Sequence, residues 1–242
     1  MFRSIFHKLE EFFPSFGRVS RRVLRGERVS GVREFIHGQG NSIRANGVEC
    51  VDVELDIIGD RNQIIIGEGS VLHHLKIRIR GSDHRIELGR NCRVSRGGVF
   101  WIEDDHCVLS IGANTTIVEA SIAVTEPGSK VVIGEECMFA NDIDIRVGDS
   151  HSIFDAATRE RINFAENIVI GRHVWIAAHT VILKGVTIGE NSVIASGAIV
   201  TRSCDPGSIL AGNPAKIIKQ GITWQRERVM RDTSQSPTAR AT

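Results

Sequence analysis

Between Ile170 and Asp205 the chain repeats every six residues: IGRHVW, IAAHTV, ILKGVT, IGENSV, IASGAI, VTRSCD. A β-branched aliphatic opens each block (Ile170, Ile176, Ile182, Ile188, Ile194, Val200). The next residue is mostly small, Leu183 being the exception, and the fifth is small or β-branched (Val174, Thr180, Val186, Ser192, Ala198, Cys204). A period of six fits neither a helix (3.6) nor a simple alternating strand (2). It fits short strands joined by tight turns, each turning one aliphatic and one small side chain inward. Three such strands close a triangular coil of about eighteen residues, and coils stack into a parallel β-helix.

The rest of the chain suits a narrow prism. Gly reaches 24 among 242 residues, Tyr is absent and aromatics are few. With 41% apolar and 24% charged residues the sequence has the composition of a folded, soluble domain. A net charge of +1 offers no basic field for nucleic acid, so no nucleic-acid partner is expected. The five cysteines form no CxxC pair. Cys92, Cys137 and Cys204 fall at the fifth block position and read as interior fillers rather than a disulfide framework or zinc cluster. A reducing, cytoplasmic location follows as an expectation. No apolar run of about eighteen residues is present, and the N-terminus lacks a signal-peptide core.

Taken in order, the chain divides into three. Residues 1–40 read as a helical and basic segment. Phe2, Ile5, Phe6, Leu9, Phe12 and Phe13 have helical spacing, Pro14 closes the run, and Arg18, Arg21, Arg22, Arg25 and Arg28 follow. This helix either caps the open end of the solenoid or lies on a membrane surface, a peripheral contact through residues 1–30. Residues 41–215 read as the β-helix. Ile66-Gly67, Leu88-Gly89, Ile111-Gly112 and Ile133-Gly134 recur 22 to 23 residues apart. That spacing predicts coils with extra residues at one corner, in the turn-forming stretches GSDHR, EDDHC and TEPGS. His84 and His106, each after an Asp, are read there as parts of a repeated turn rather than a metal ladder. The spacing then jumps to 37, and residues 149–167 (DSHSIFDAATRERINFAEN) carry no block. An interruption in a regular solenoid is where function is usually added. Residues 216–242 read as a short helix and a disordered tail.

The six-residue repeat, the DSHSIFD loop, VWIAAH and AGNPAK together resemble the hexapeptide-repeat acyltransferases. Within them the chain is similar to sugar O-acetyltransferases of the galactoside and maltose type, and to the polysialic acid and capsule O-acetyltransferase branch. The resemblance covers about residues 60–220. It implies an all-β, left-handed parallel β-helix, a homotrimer with active sites between subunits, and acetyl-CoA as donor. His151 matches the catalytic His of the family, and imidazole suits proton transfer near neutral pH.

The resemblance also assigns the donor groove. Trp175 matches the ring beside pantetheine and acceptor. Ala178 and Ser196, eighteen residues apart, match positions lining the acetyl-CoA arm, and Thr201 and Arg202 match further contacts. Lys216 and Lys219 match cationic positions near the phosphates, where ammonium groups suit that charge. The galactoside-type enzymes carry an Asn in the coil before the His, but here that coil reads IVEAS. Glu119 is therefore the candidate to orient His151 or hold the acceptor, with Asn141, Asp142 and Asp149 beside it. The expected reaction is direct transfer. His151 takes the proton of a carbohydrate hydroxyl that attacks the thioester, backbone amides hold the oxyanion, and no acyl-enzyme forms. No metal is expected, because no credible His triad appears. Other readings are N-acetylation of an amino-sugar nucleotide, acetylation of a xenobiotic, and a catalytically inactive β-helix scaffold.

Overall fold

A computed structural model describes residues 31–230. The N-terminal helix and the disordered tail read from the sequence fall almost wholly outside these residues. Within them the chain is an all-β parallel solenoid of three sheets, and no helix occurs among the described residues. Sheet A has eight strands, sheet B seven and sheet C nine, and each coil adds one strand to each sheet in turn. The first strand, Val32–His37, begins inside the segment read as helical and basic, and it pairs in parallel with Val53–Ile58.

Coil length explains both sequence periods. Sheet partners lie 21 to 23 residues apart in the early coils (Val32 with Val53, Gly98 with Leu75) and 18 apart in the late ones (Val181 with Ile199). The extra residues lengthen the sheet A strands, as in Leu75–Ser82 and Gly98–Asp105, and the corner that follows them. That A–B corner contains GSDHR, EDDHC and TEPGS. The jump of 37 is one coil carrying an inserted loop, because Ile133 still pairs with Ile170 and Phe139 with Ile176.

The inward columns are continuous. Leu55, Ile77, Phe100, Ile122, Ile145, Ile182 and Val200 stack through seven coils, and all are buried. All six aliphatics that open the blocks from Ile170 to Val200 are buried, as are the fifth-position residues. Burial of each large aliphatic contributes about 1.5–3 kcal/mol, so these columns supply most of the cohesion.

Corners pose a second problem, because a backbone amide turned inward there needs a partner. Inward polar side chains provide it from the coil below. At the A–B corner Asn41 Oδ1 accepts from Asn62 N (2.9 Å), Asn62 Oδ1 from His84 N (3.0 Å), and His84 Nδ1 from Cys107 N (3.1 Å). At the B–C corner Ser70 Oγ accepts from Cys92 N (3.0 Å) and Thr115 Oγ1 from Cys137 N (3.1 Å). The corner aspartates act likewise on the outside: Asp60 accepts from Gln39 N and Asp105 from Ser82 N. Of the two Asp-His pairs, Asp105 therefore bonds a backbone amide as the turn reading expects, whereas Asp83 is held by the Arg61 guanidinium. All five cysteines are buried and unpaired.

The C-terminal segment departs from expectation. Ala215–Lys219 is not helical: it folds back antiparallel on Ile209–Gly212. Ile209–Gly212 is the last parallel strand, and this return pairs a sheet edge that would otherwise stay open. Residues 220–230 then run as an irregular strap down the B–C corner. Ile222 N donates to Gly207 O (3.0 Å), and Trp224 Nε1 donates to His173 O (2.7 Å). The Trp224 ring stacks on His173 at 4.2 Å and 4°, and Arg226 donates to Thr116 Oγ1 (2.8 Å) and Cys137 O (3.0 Å). A helix would forfeit these contacts, and Gly221 at φ +71° turns the chain instead.

Two outcomes follow. Trp224→Ala removes a stacked ring and a hydrogen bond, and should lower the melting temperature by about 5 °C in a thermal scan. The second concerns His84. Its Nδ1 must stay unprotonated to accept from Cys107 N, and burial pushes its pKa below the ordinary histidine value. The unfolded chain therefore takes up the proton first. Stability is full above the unfolded value of about 6.5 and falls as pH drops through it toward the folded value. His84→Asn should flatten the loss of thermal stability between pH 7 and pH 5.

Candidate functional site

The inserted loop leaves sheet A after Ile143–Arg146 and rejoins sheet B at Ile168–Ile170, so it stands on the A–B corner. Its tip closes locally. Asp155 Oδ1 accepts from Ala157 N (2.9 Å) and Thr158 N (2.8 Å), an Asx-type turn. Asp155 N donates to Glu160 O, Ile162 N donates to Ile153 O, and Phe154 bridges Arg161, which makes a small hairpin.

One buried side chain organises the base of this hairpin. Asn163 Nδ2 donates to the His151 carbonyl (2.8 Å) and to Asp149 Oδ2 (2.9 Å), while its Oδ1 accepts from Ile153 N (2.7 Å) and Arg161 Nε (3.2 Å). One amide thus holds the His151 carbonyl and the Ile153 amide, and ties them to the Asp149 carboxylate. Asp149 also accepts from Lys184 Nζ (2.6 Å), in the next coil. The Lys184 ammonium, with help from Asn163, holds the Asp149 carboxyl below its usual range. Arg161 pairs with Glu126 in the coil below and lies 4.7 Å over the Phe164 ring.

His151 itself is exposed. Asp149 does not bond its ring as the sequence reading allowed: the carboxylate is taken by Lys184 and Asn163. Among the described residues no side chain hydrogen-bonds the imidazole. Its backbone is fixed and its ring is open to solvent, an arrangement suited to proton exchange with an incoming hydroxyl.

The other candidates occupy different edges. Glu119, Asn141, Asp142, Ala178 and Ser196 stack along the C–A corner. Glu119 N donates to Ala140 O, His179 N to Asn141 O (3.1 Å), and Gly197 N to Ala178 O (2.9 Å). Ala178 and Ser196 do lie one above the other. His179 Nδ1 meets Asp142 Oδ2 at 2.8 Å on this edge. Trp175 faces out of sheet C, 37% exposed, with its ring 6.0 Å from that of Trp224. Thr201 and Arg202 instead follow Ile199–Val200 at the A–B corner, one coil beyond Lys184. Lys216 and Lys219 are exposed on the returning strand at the edge of sheet C.

Sheet A, about 15–20 Å wide at 3.3 Å per residue, therefore separates His151, Thr201 and Arg202 from Glu119, Asn141, Asp142, Ala178 and Ser196. Glu119 does not orient His151 within one chain. Small side chains on the C–A corner suit a thin arm, and the two exposed lysines at the edge of sheet C suit phosphates. Gly197 adds room, since a Cβ there would meet nothing within 4 Å. Among the described residues no three His, Cys, Asp or Glu side chains are placed to hold a metal.

The sequence reading missed Asn163, Lys184 and Trp224. Asn163 lies where no period runs, so nothing marked its inward direction. Lys184 carried one clue: it follows Leu183, the residue that breaks the small second position. Trp224 was assigned to a helix.

Residues 167–202 match the family model described as bacterial transferase hexapeptide (six repeats). The polysialic acid O-acetyltransferase of Neisseria meningitidis is 34% identical over 192 residues, which covers 78% of this chain and 88% of that protein. Among solved structures, the polysialic acid O-acetyltransferase OatWY superposes with a TM-score of 0.79 at 31% identity, covering 85% of this chain and 97% of that one. The polySia-specific acetyltransferase NeuO gives 0.78 at 30% identity, over 86% and 94%. These matches extend far beyond residues 167–202, over 78% to 86% of this chain. The chain belongs to the hexapeptide-repeat acetyltransferase family.

Proposed function

We propose that the protein transfers an acetyl group from acetyl-CoA to a hydroxyl of a carbohydrate, a bacterial surface polysaccharide or its precursor. The observation that carries this reading is His151. It is exposed, held from behind by Asn163, and placed where one coil is interrupted in a chain that matches carbohydrate O-acetyltransferases along nearly their full length. Similarity to O-acetyltransferases at that coverage favours the hydroxyl over an amine as acceptor.

Acetyl-CoA supplies the activated acetyl group. His151, neutral, accepts the proton of the acceptor hydroxyl as its oxygen attacks, and then returns the proton to the departing thiolate. Asn163 holds the imidazole's backbone, and the Asp149–Lys184 pair ties the loop base to the next coil. Ala178 and Ser196 line the arm of the donor, Trp175 borders it, and Lys216 and Lys219 face its phosphates. The separation of these groups across sheet A supports assembly of the site between neighbouring copies. One copy gives the His151 loop with Thr201 and Arg202; the next gives the C–A corner. A homotrimer satisfies this arrangement three times with one kind of contact.

His151→Ala should lower kcat by about 10²–10⁴-fold, read as thiol release with acetyl-CoA and an acceptor glycan, while CoA binding by calorimetry is retained. Full activity in that variant would remove His151 from the mechanism. Asn163→Ala should lower kcat by about 10–100-fold through misplacement of the imidazole. The KM for acetyl-CoA should stay within about twofold, as expected for a residue that touches neither substrate.

A further inference from the structure

Beside the loop, on the sheet B side of the A–B corner, lies an open cleft of about 660 Å³, within the range of small-molecule sites. Glu126 and Gly128 of the coil below line one wall, Phe164 and Glu166 of the loop's exit the other, and Gly185 of the coil above closes the end. The cleft is held open by construction. Arg161 is fixed between Glu126 and Asn163, and its guanidinium lies over Phe164, so the ring cannot fold away. Phe164 nevertheless remains 58% exposed. Gly128 leaves open space where a Cβ would be, and a Cβ on Gly185 would come within 2.6 Å of Glu166 Oε2.

The chemistry of the lining is selective. An exposed aromatic ring offers an apolar face. The Glu126 carboxylate is engaged by Arg161, but Glu166 offers only acceptors, and among the described residues its side chain makes no hydrogen bond or ion pair. No lysine or arginine lines the cleft. Phosphates and carboxylates are thereby disfavoured, so the CoA phosphates do not belong here. A pyranose matches: its C–H face covers the ring face that Arg161 leaves open, and its hydroxyls donate to the Glu166 carboxylate. Position ties the cleft to the reaction, because Phe164 directly follows Asn163, whose amide holds His151.

We infer that this cleft is a subsite for an uncharged sugar unit of the acceptor, a hexose or N-acetylhexosamine, lying a short run of glycan away from the hydroxyl at His151. The inference rests on the carbohydrate reading above. It adds that the acceptor presents a neutral ring at this point, even if other units carry charge.

Binding can be tested without turnover by saturation-transfer NMR on the full-length His151→Ala protein. The probes are neutral gluco-, galacto- and N-acetylglucosamine hexasaccharides, with an α2,8-linked sialic acid hexamer as the anionic comparison. At least one neutral probe should receive saturation on its ring protons. In that background Phe164→Ala should abolish the signal, Glu166→Gln should weaken it several-fold, and Phe164→Trp should keep it, with unchanged melting curves throughout. No transfer to any neutral probe, or transfer that survives Phe164→Ala, overturns the subsite. Failure of acetyl transfer in the wild-type protein with binding intact would instead overturn the catalytic reading alone.

Discussion

Every coil of this protein depends on backbone amides finding carbonyls in the coil beside it. Along the flat sheets the parallel ladder does this automatically. At the corners it does not, and there the sequence places Asn, Ser, Thr or His so that an inward polar atom meets the amide of the next coil. An unmet buried amide costs about 1–3 kcal/mol, comparable to the burial of a whole aliphatic side chain. The corner ladder and the aliphatic columns are therefore partners of similar weight. At the fifth position of the repeat Ser70, Thr115 and Ser192 serve as such acceptors, whereas Thr180 donates to Ala177 O and the apolar residues there only fill space.

The architecture was readable because its period is short and strict. Ile170 through Val200 point inward every sixth residue, and that one column implies strands, turns and stacking together. The longer early coils were readable for the same reason, since Ile-Gly pairs return every 22 to 23 residues and the extra length sits in turn-rich corners. What lay beyond reach was anything set by tertiary contact alone. IIKQGITWQRERVMR has no strong helical or strand pattern. Its fate was decided by an open sheet edge at Ile209–Gly212 and by a stacking partner, His173, some fifty residues earlier.

The site divides along the same line. The role expected of His151 came from the family resemblance, while the loop that carries it was legible from the broken period. Its support was not, because Asn163 works through a hairpin whose closure depends on Asp155 and Arg161, with no repeat to reveal the direction of any side chain. Nor could spacing alone show that sheet A would part Glu119 and Ser196 from His151. A corner is a property of three strands at once. Residues that look adjacent along a solenoid face can belong to different edges of the prism.

The inserted loop has a consequence for how such a protein can diversify. The strands before and after it keep their register, with Val131 on Ile168 and Ile145 on Ile182, so the core does not register the insertion. Lengthening a flexible surface loop costs only about 0.6 kcal/mol for each doubling. The inserted segment can thus be exchanged, grown or shortened almost independently of the prism that carries it. Selection could rewrite the nineteen residues from Asp149 to Asn167 while the rest of the molecule stays put.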